Sequence, residues 1–273
     1  MTHSHSQYKL HEDPLALVLC QVRFSRIRKM PEFLPEIQHR LRDLGYPGDA
    51  STPLQRIQVE TGKAPVFTPV QHEEFRSKDN AWGVVVSEDM LVLATTQYDR
   101  FRGFAERLQA ILTIVDEVAA LQKGSIIRIG LRYIDVITPK PGENWRQYLQ
   151  PSLHGPASPV FDSGEPLLGM EFHGKTRIGR LTIRISQNNQ GQLVPPGTIV
   201  KPMAFRQQDL GDRLLTLIDS DHYVEGQWDF NMKELIETVD ELHEGINTVF
   251  FDNIITKHAL ETWRAEHVAD SGS

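Results

Sequence analysis

Two arginines flank a glycine at alternate positions in Arg128-Ile-Gly-Leu-Arg132, and this spacing is the clearest chemical signal in the chain. Side chains of a strand alternate between faces, so Arg128, Gly130 and Arg132 share one face while Ile127, Ile129, Leu131 and Tyr133 line the other. The guanidinium positions fall roughly 13 Å apart along the strand, and the glycine between them leaves a trough for an anion or an acidic side chain. Arg180-Leu-Thr-Ile-Arg184 repeats the pattern, and an earlier strand ends in Arg23. Placed side by side, Arg23, Arg128, Arg132, Arg180 and Arg184 would form a basic surface for phosphate, carboxylate or single-stranded nucleic acid, because the planar guanidinium suits bidentate anion contact. The competing expectation is cross-strand pairing with the chain's own acids, which number 36 Asp and Glu against 29 Lys and Arg.

Other chemistry finds weaker support. There is no Gly-x-Ser-x-Gly elbow, no Gly-x-x-x-x-Gly-Lys phosphate loop and no Gly-x-Gly-x-x-Gly fingerprint, so no catalytic residue is assigned. Acid–base pairs from distant positions, Asp135 with His173 or Asp221 with His222, stay open. Asp219-Ser-Asp221-His222 and His243-Glu244 approach metal-ligand groupings without completing one, and His3 and His5 lie in a polar tail; no metal and no cofactor is expected. Glu234, Glu237, Asp240, Glu241 and Glu244 make the C-terminal helix acidic. It reads as a solvated face, a nucleic-acid mimic, a surface for a basic partner, or a clamp on the arginine face.

The elements that must position these groups are strands in groups, followed by long helices. Leu15 to Phe24 reads as a central strand. A helix follows with Pro31 in its first turn, Phe33, Leu34, Ile37, Leu41 and Leu44 at helical spacing, and Gly45 as a left-handed stop. Gln55 to Glu60 reads as a short strand, and Trp82 to Val86 with Met90 to Tyr98 as a hairpin turning at Ser87-Glu88-Asp89. Asp99 is the expected cap of a long helix striped by Phe101, Phe104, Ala105, Leu108, Ile111, Leu112, Val115 and Val118. After the arginine strand, Pro139 to Pro166 reads as a long connection with a helical turn or two near Trp145. A second hairpin spans Leu167 to His173 and Arg177 to Gln187. Gln190 to Gln208 is loop or edge, and Leu214 to Ile218 is a strand. A helix at about Asn231 to Asp252 and a shorter one after Thr256 close the chain.

Grouped strands followed by long amphipathic helices predict an α+β fold, an antiparallel-rich mixed sheet with helices mainly on one face. The expected division is residues 1–138, a connection at 139–166 and residues 167–273, or one continuous domain. Both halves run a strand meander into a long helix, and Arg-Ile-Gly recurs at Arg128 and Arg177, so they read either as related units or as recurrence of common β patterns.

With 273 residues, 40% hydrophobic, the chain can build its own core. A net charge of −7 argues against binding duplex DNA through phosphate attraction. The single cysteine, Cys20, excludes a disulfide framework within one chain. The N-terminus lacks a signal-type apolar core, and the longest apolar run, Leu15 to Cys20, is too short to cross a membrane, so a cytoplasmic protein is expected.

The strand ending Val22-Arg23-Phe24, Trp82 at a hairpin start, Tyr98 ahead of Phe101 and Phe104, Arg128 to Asp135, Leu242-His243 and Phe250 to Thr256 together resemble a sporadically distributed family of uncharacterised bacterial proteins. That family often has Asn at the position of Asp135. The resemblance implies a place in mobile accessory gene sets, among regulators, toxin or antitoxin partners and phage-defence components.

Three functions follow as expectations. The first is a non-enzymatic binding or regulatory protein that presents its arginines to an anionic or protein partner, including a second copy whose acidic helix docks there in a salt-sensitive way. The second is a factor or nuclease for RNA or single-stranded DNA, with Tyr133 or Trp82 stacking bases. The third is an enzyme acting on a small molecule between the long helix and the sheet.

Overall fold

The computed structural model describes residues 8–58, 66–155, 167–195, 198, 203–205 and 213–267. His3, His5 and the end of the Gln55–Glu60 reading lie outside them. A short pair, β1 (Tyr8–Leu10) with β11 (Ala265–His267), ties the two ends of this region together. Everything else is built on one nine-stranded antiparallel sheet.

The first half supplies β2 (Leu15–Phe24), α1 (Met30–Asp43), β3 (Gly48–Gln58), β4 (Val66–Arg76), β5 (Trp82–Ser87), β6 (Met90–Thr95) and α2 (Phe101–Ala119). The second supplies β7 (Ser125–Ile137), β8 (Gly169–Lys175), β9 (Arg180–Asn188), β10 (Leu215–Asp229), α3 (Met232–Val249) and α4 (Lys257–Thr262). The strand order is β3-β4-β5-β6-β2-β7-β10-β9-β8. In each half the first strand pairs with the last, a long helix follows, and the two first strands, β2 and β7, pair antiparallel at the centre. The halves therefore share this plan about the β2–β7 seam, the first with one strand more and with α1 after its first strand. The Arg-Ile-Gly match takes no part in it, because Arg128 lies within β7 whereas Arg177 to Gly179 form the turn before β9.

The helices cover one face, as expected. Ile37 and Leu41 of α1, Leu108, Ile111 and Val115 of α2, and Leu235, Val239 and Leu242 of α3 join Val18, Cys20, Val22, Ile129, Leu131, Val84 and Leu93 of the sheet in one buried cluster. Burial pushes the Cys20 thiol up to about 12, so it packs as an inert apolar group. Gly45 ends the first helix at φ +93°. Leu44 is instead 41% exposed, and the residue capping α2 is Arg100, not Asp99, with no side-chain hydrogen bond. Asn231 caps α3 by accepting from the backbone of Lys233 and Glu234, and a five-residue π turn, Phe250–Ile254, follows that helix.

One strand has no counterpart in the sequence reading, and another outruns it. β4 carries Pro69 within it, which obscures the alternation, yet β4 pairs with β3 along its whole length. β10 runs eleven residues past the expected end at Ile218, as far as Asp229. On the face away from the helices, Leu193, Val194, Met203 and Phe205 lie over Leu17, Leu19, Val92, Ile134, Val136 and Leu217. Arg128, Arg132, Asp219, Asp221, Arg180 and Arg184 occupy another part of that face.

Candidate functional site

The polar half of the open face is built by register. β7 pairs Arg132 with Asp221, Gly130 with Tyr223 and Arg128 with Glu225 on β10; β10 in turn pairs Asp219 with Arg184 and Tyr223 with Arg180 on β9; and β8 sets Glu171 against Arg184 and Lys175 against Arg180. On the other side of β7, Arg23 stands directly opposite Arg128. All five predicted arginines thus share one face. They do not form a free basic surface, because β10 lies between β7 and β9 and brings acids.

Arg132 donates from Nε and Nη2 to the two carboxylate oxygens of Asp219, at 2.6 and 2.8 Å. The Asp219 side chain is 2% exposed and that of Arg132 21%, so this is a desolvated bidentate pair. Arg184 donates to Glu171 at 2.7 Å and to Asp219 at 3.4 Å. Arg128 donates to Glu225 at 2.9 Å and lies 3.5 Å from Asp221. Burial raises the Asp221 carboxyl above its usual range, against the pull of Arg128 and Arg132. Arg23 leans the other way, to Asp89 at 3.7 Å, which separates it from Arg128. The anticipated trough at Gly130 is filled: the Arg128 guanidinium folds over it to 3.8 Å from the Tyr223 ring centroid.

Arg180 and Lys175 are the exceptions. Both are exposed, they face each other across β9 and β8, and among the described residues neither has a carboxylate within 4.0 Å. Arg180 stands next to Tyr223 and Lys175 one strand beyond, so the cationic corner of the face sits at the β8–β9 end.

The expected aromatic platforms lie elsewhere, which corrects that part of the reading. Tyr133 is 5% exposed on the helix side, where its hydroxyl lies 2.6 Å from His243 Nδ1 and 3.1 Å from the Tyr98 hydroxyl. Trp82 stacks on Phe104, and Arg107 covers its ring at 4.2 Å. Neither ring offers a stacking face beside the arginines. Alternation placed Tyr133 on the apolar face from the outset; Tyr223 is the ring on the arginine side.

The helix side holds a buried polar network that sequence reasoning did not assemble. His243 lies between Phe101, whose ring stacks on it at 4.2 Å, and Tyr133, and its Nε2 is 3.0 Å from the Asn247 amide. With that amide donating, Nδ1 carries the proton and donates to Tyr133. Burial holds His243 down at about 3, and raises Tyr133 and Tyr98. Asp135 is also buried here, its carboxyl raised well above the ordinary range by burial and by nearby Asp13. The network joins α2 and α3 to β7.

The proposed acid–base pairs are not assembled. Asp221 and His222 point to opposite faces of β10: His222 is buried under α3, with its Nδ1 2.9 Å from the Leu242 carbonyl and its Nε2 2.9 Å from Thr176 Oγ1. Asp135 belongs to the helix side, whereas His173 sits exposed on β8, hydrogen-bonded to Thr182. A groove of about 370 Å³ lies between α1 and β3 to β5, lined by Met30, Leu34, Gln38, Asp49, Gln71 and Glu88, and none of the predicted arginines reaches it. Among the described residues no group of three His, Cys, Asp or Glu is placed to hold a metal, and no helix is long and apolar enough to cross a membrane. The acidic residues of α3 lie on the far side of the sheet from the arginine ladder; Glu237 meets Lys233 and Glu241 meets Arg177, so no clamp on that ladder forms within the chain.

No family model matches the sequence, and a search of curated proteins finds no relative. Any functional reading therefore stands on the geometry.

The missed signal was in β10. Asp219, Asp221, Tyr223 and Glu225 alternate with Ile218, Ser220, His222 and Val224, which is the acidic complement of the β7 pattern. Ending the expected strand at Ile218 left that alternation outside it.

Proposed function

We propose that the protein is a non-enzymatic binding component that docks an acidic protein partner on the open face of its sheet, in line with the regulatory role in an accessory gene set that the family resemblance implies. The observation that supports this reading is the cationic corner. Arg180 and Lys175 face each other, exposed and without a carboxylate partner among the described residues, beside the Arg128–Tyr223 stack. An antiparallel sheet can leave one face to solvent, and this one carries a row of paired charges on the uncovered part of that face. Arg128, Arg132 and Arg184 are held in place by their own acids, so they act as a rigid frame. Mixed charge of this kind selects partners and speeds encounter more than it adds affinity.

The test compares the wild-type chain with an Arg180→Glu/Lys175→Glu variant as bait in extracts of the native host, reading co-purifying polypeptide and nucleic acid separately. A polypeptide retained at low salt, released by salt and lost by the variant supports the reading. Nuclease-sensitive recovery of RNA or single-stranded DNA that depends on the same residues moves the partner class to nucleic acid, with Tyr223 as the ring in reach. Recovery unchanged by the double substitution removes the corner as a binding surface.

A further inference from the structure

The nine-stranded sheet ends in two edges of different character. At one, β3 holds Pro53, which has no N–H to offer an incoming strand. At the other, β8 reads Gly-Met-Glu-Phe-His-Gly-Lys with no proline, and among the described residues no strand pairs with its outer side. Its side chains are exposed apart from half-buried Met170, and Phe172 is 47% exposed.

We infer that β8 is a self-pairing edge, joining a second copy of this chain antiparallel about a two-fold axis through Phe172. The residue order carries the argument. In that register Phe172 meets Phe172 of the partner subunit, Glu171 meets His173 of the partner subunit, Met170 meets Gly174 of the partner subunit, and Gly169 meets Lys175 of the partner subunit. Each Glu171 then has a histidine opposite and a lysine on one diagonal, which offset Glu171 of the partner subunit on the other diagonal. No like charges stand opposite each other. Within one chain Glu171 already lies 3.3 Å from His173 Nε2 and 2.7 Å from Arg184, so pairing extends an ordered charge row rather than creating one. On the helix side, the bulky Phe172 gains a partner ring while Met170 covers a glycine. A two-fold contact must be self-complementary in this way.

The inference shares Lys175 with the open-face reading, but its test is made at Phe172, which pairs with Ile183 on the helix side of the hairpin, opposite to Arg180 and Lys175, so the two readings can fail separately.

Any charge at position 172 would oppose itself across the axis. Sedimentation velocity is therefore run on wild type, Phe172→Lys, Phe172→Glu and an equimolar mixture of the two variants, with circular dichroism confirming that each is folded. The expected result is a concentration-dependent dimer for wild type, a monomer for each variant alone, and recovered association in the mixture. Phe172→Cys adds a second readout: mild oxidation should give a disulfide-linked dimer, with Cys20 too deeply buried to compete. A wild-type chain that stays monomeric up to several hundred micromolar overturns the inference. So does a dimer that persists in both charged variants.

Discussion

Arg132 and Asp219 meet through two parallel hydrogen bonds across the β7–β10 seam, although 87 residues separate them in sequence. This contact turns an expected anion site into a structural pair, and it joins the two longest strands of the sheet at a point where one partner is almost fully sealed from water.

Replacing Asp219 with Asn leaves Arg132 without its countercharge and weakens the hold on Arg184. We expect a loss of about 3 kcal/mol, the low end for breaking a buried pair because Arg132 keeps part of its side chain in water. Urea denaturation measures it. Adding Arg132→Leu to Asp219→Leu should recover part of the loss, and a double variant no better than the sum of its parts would argue against direct coupling.

His243 makes the fold acid-sensitive. Its folded pKa is held at about 3 by burial, below the unfolded value of 6.5, so the unfolded chain binds a proton that the folded chain refuses. Stability contributed by the neutral ring is present above pH 6.5 and falls as pH drops toward 3, by up to ~1.4 kcal/mol per pH unit. His222, lowered by burial, adds to the same trend. Denaturation midpoints at pH 7, 6 and 5 should fall more steeply for wild type than for His243→Gln.

Asp135 has the opposite sign. Its folded carboxyl is raised by burial, so the folded chain holds a proton that the unfolded chain releases above pH 3.8. Stability is therefore lost as pH rises through and beyond that value. Asp135→Asn, which keeps the shape without the ionisation, should raise the melting temperature at pH 7, and the gain should vanish near pH 4. A variant less stable than wild type at pH 7 would show that the ionised form is accommodated.

Two glycines test space against chain freedom. A Cβ on Gly179 would stand 2.0 Å from the Tyr223 carbonyl oxygen, a backbone atom that cannot move aside, so Gly179→Ala should cost about 1–3 kcal/mol. Gly103, inside α2, has nothing within 4 Å of such an atom, and Gly103→Ala should stabilise by about 0.5–1 kcal/mol. Thermal melts of the two variants should therefore move in opposite directions.

The local patterns were legible because period-two and period-3.6 spacing reports which residues share a face, and that depends only on neighbours along the chain. Arg128 with Arg132, Arg180 with Arg184, the stripe of α2 and the Gly45 stop follow from it, as does the placing of Tyr133 away from the arginines. Which strands lie side by side depends on backbone pairing between distant segments, and local spacing carries no trace of it. Only the folded chain could insert β10 between β7 and β9, and that one placement sets Asp219, Asp221 and Glu225 among the arginines, leaves Arg180 and Lys175 without carboxylates among the described residues, and buries His222 of β10 beneath α3, the helix that carries His243.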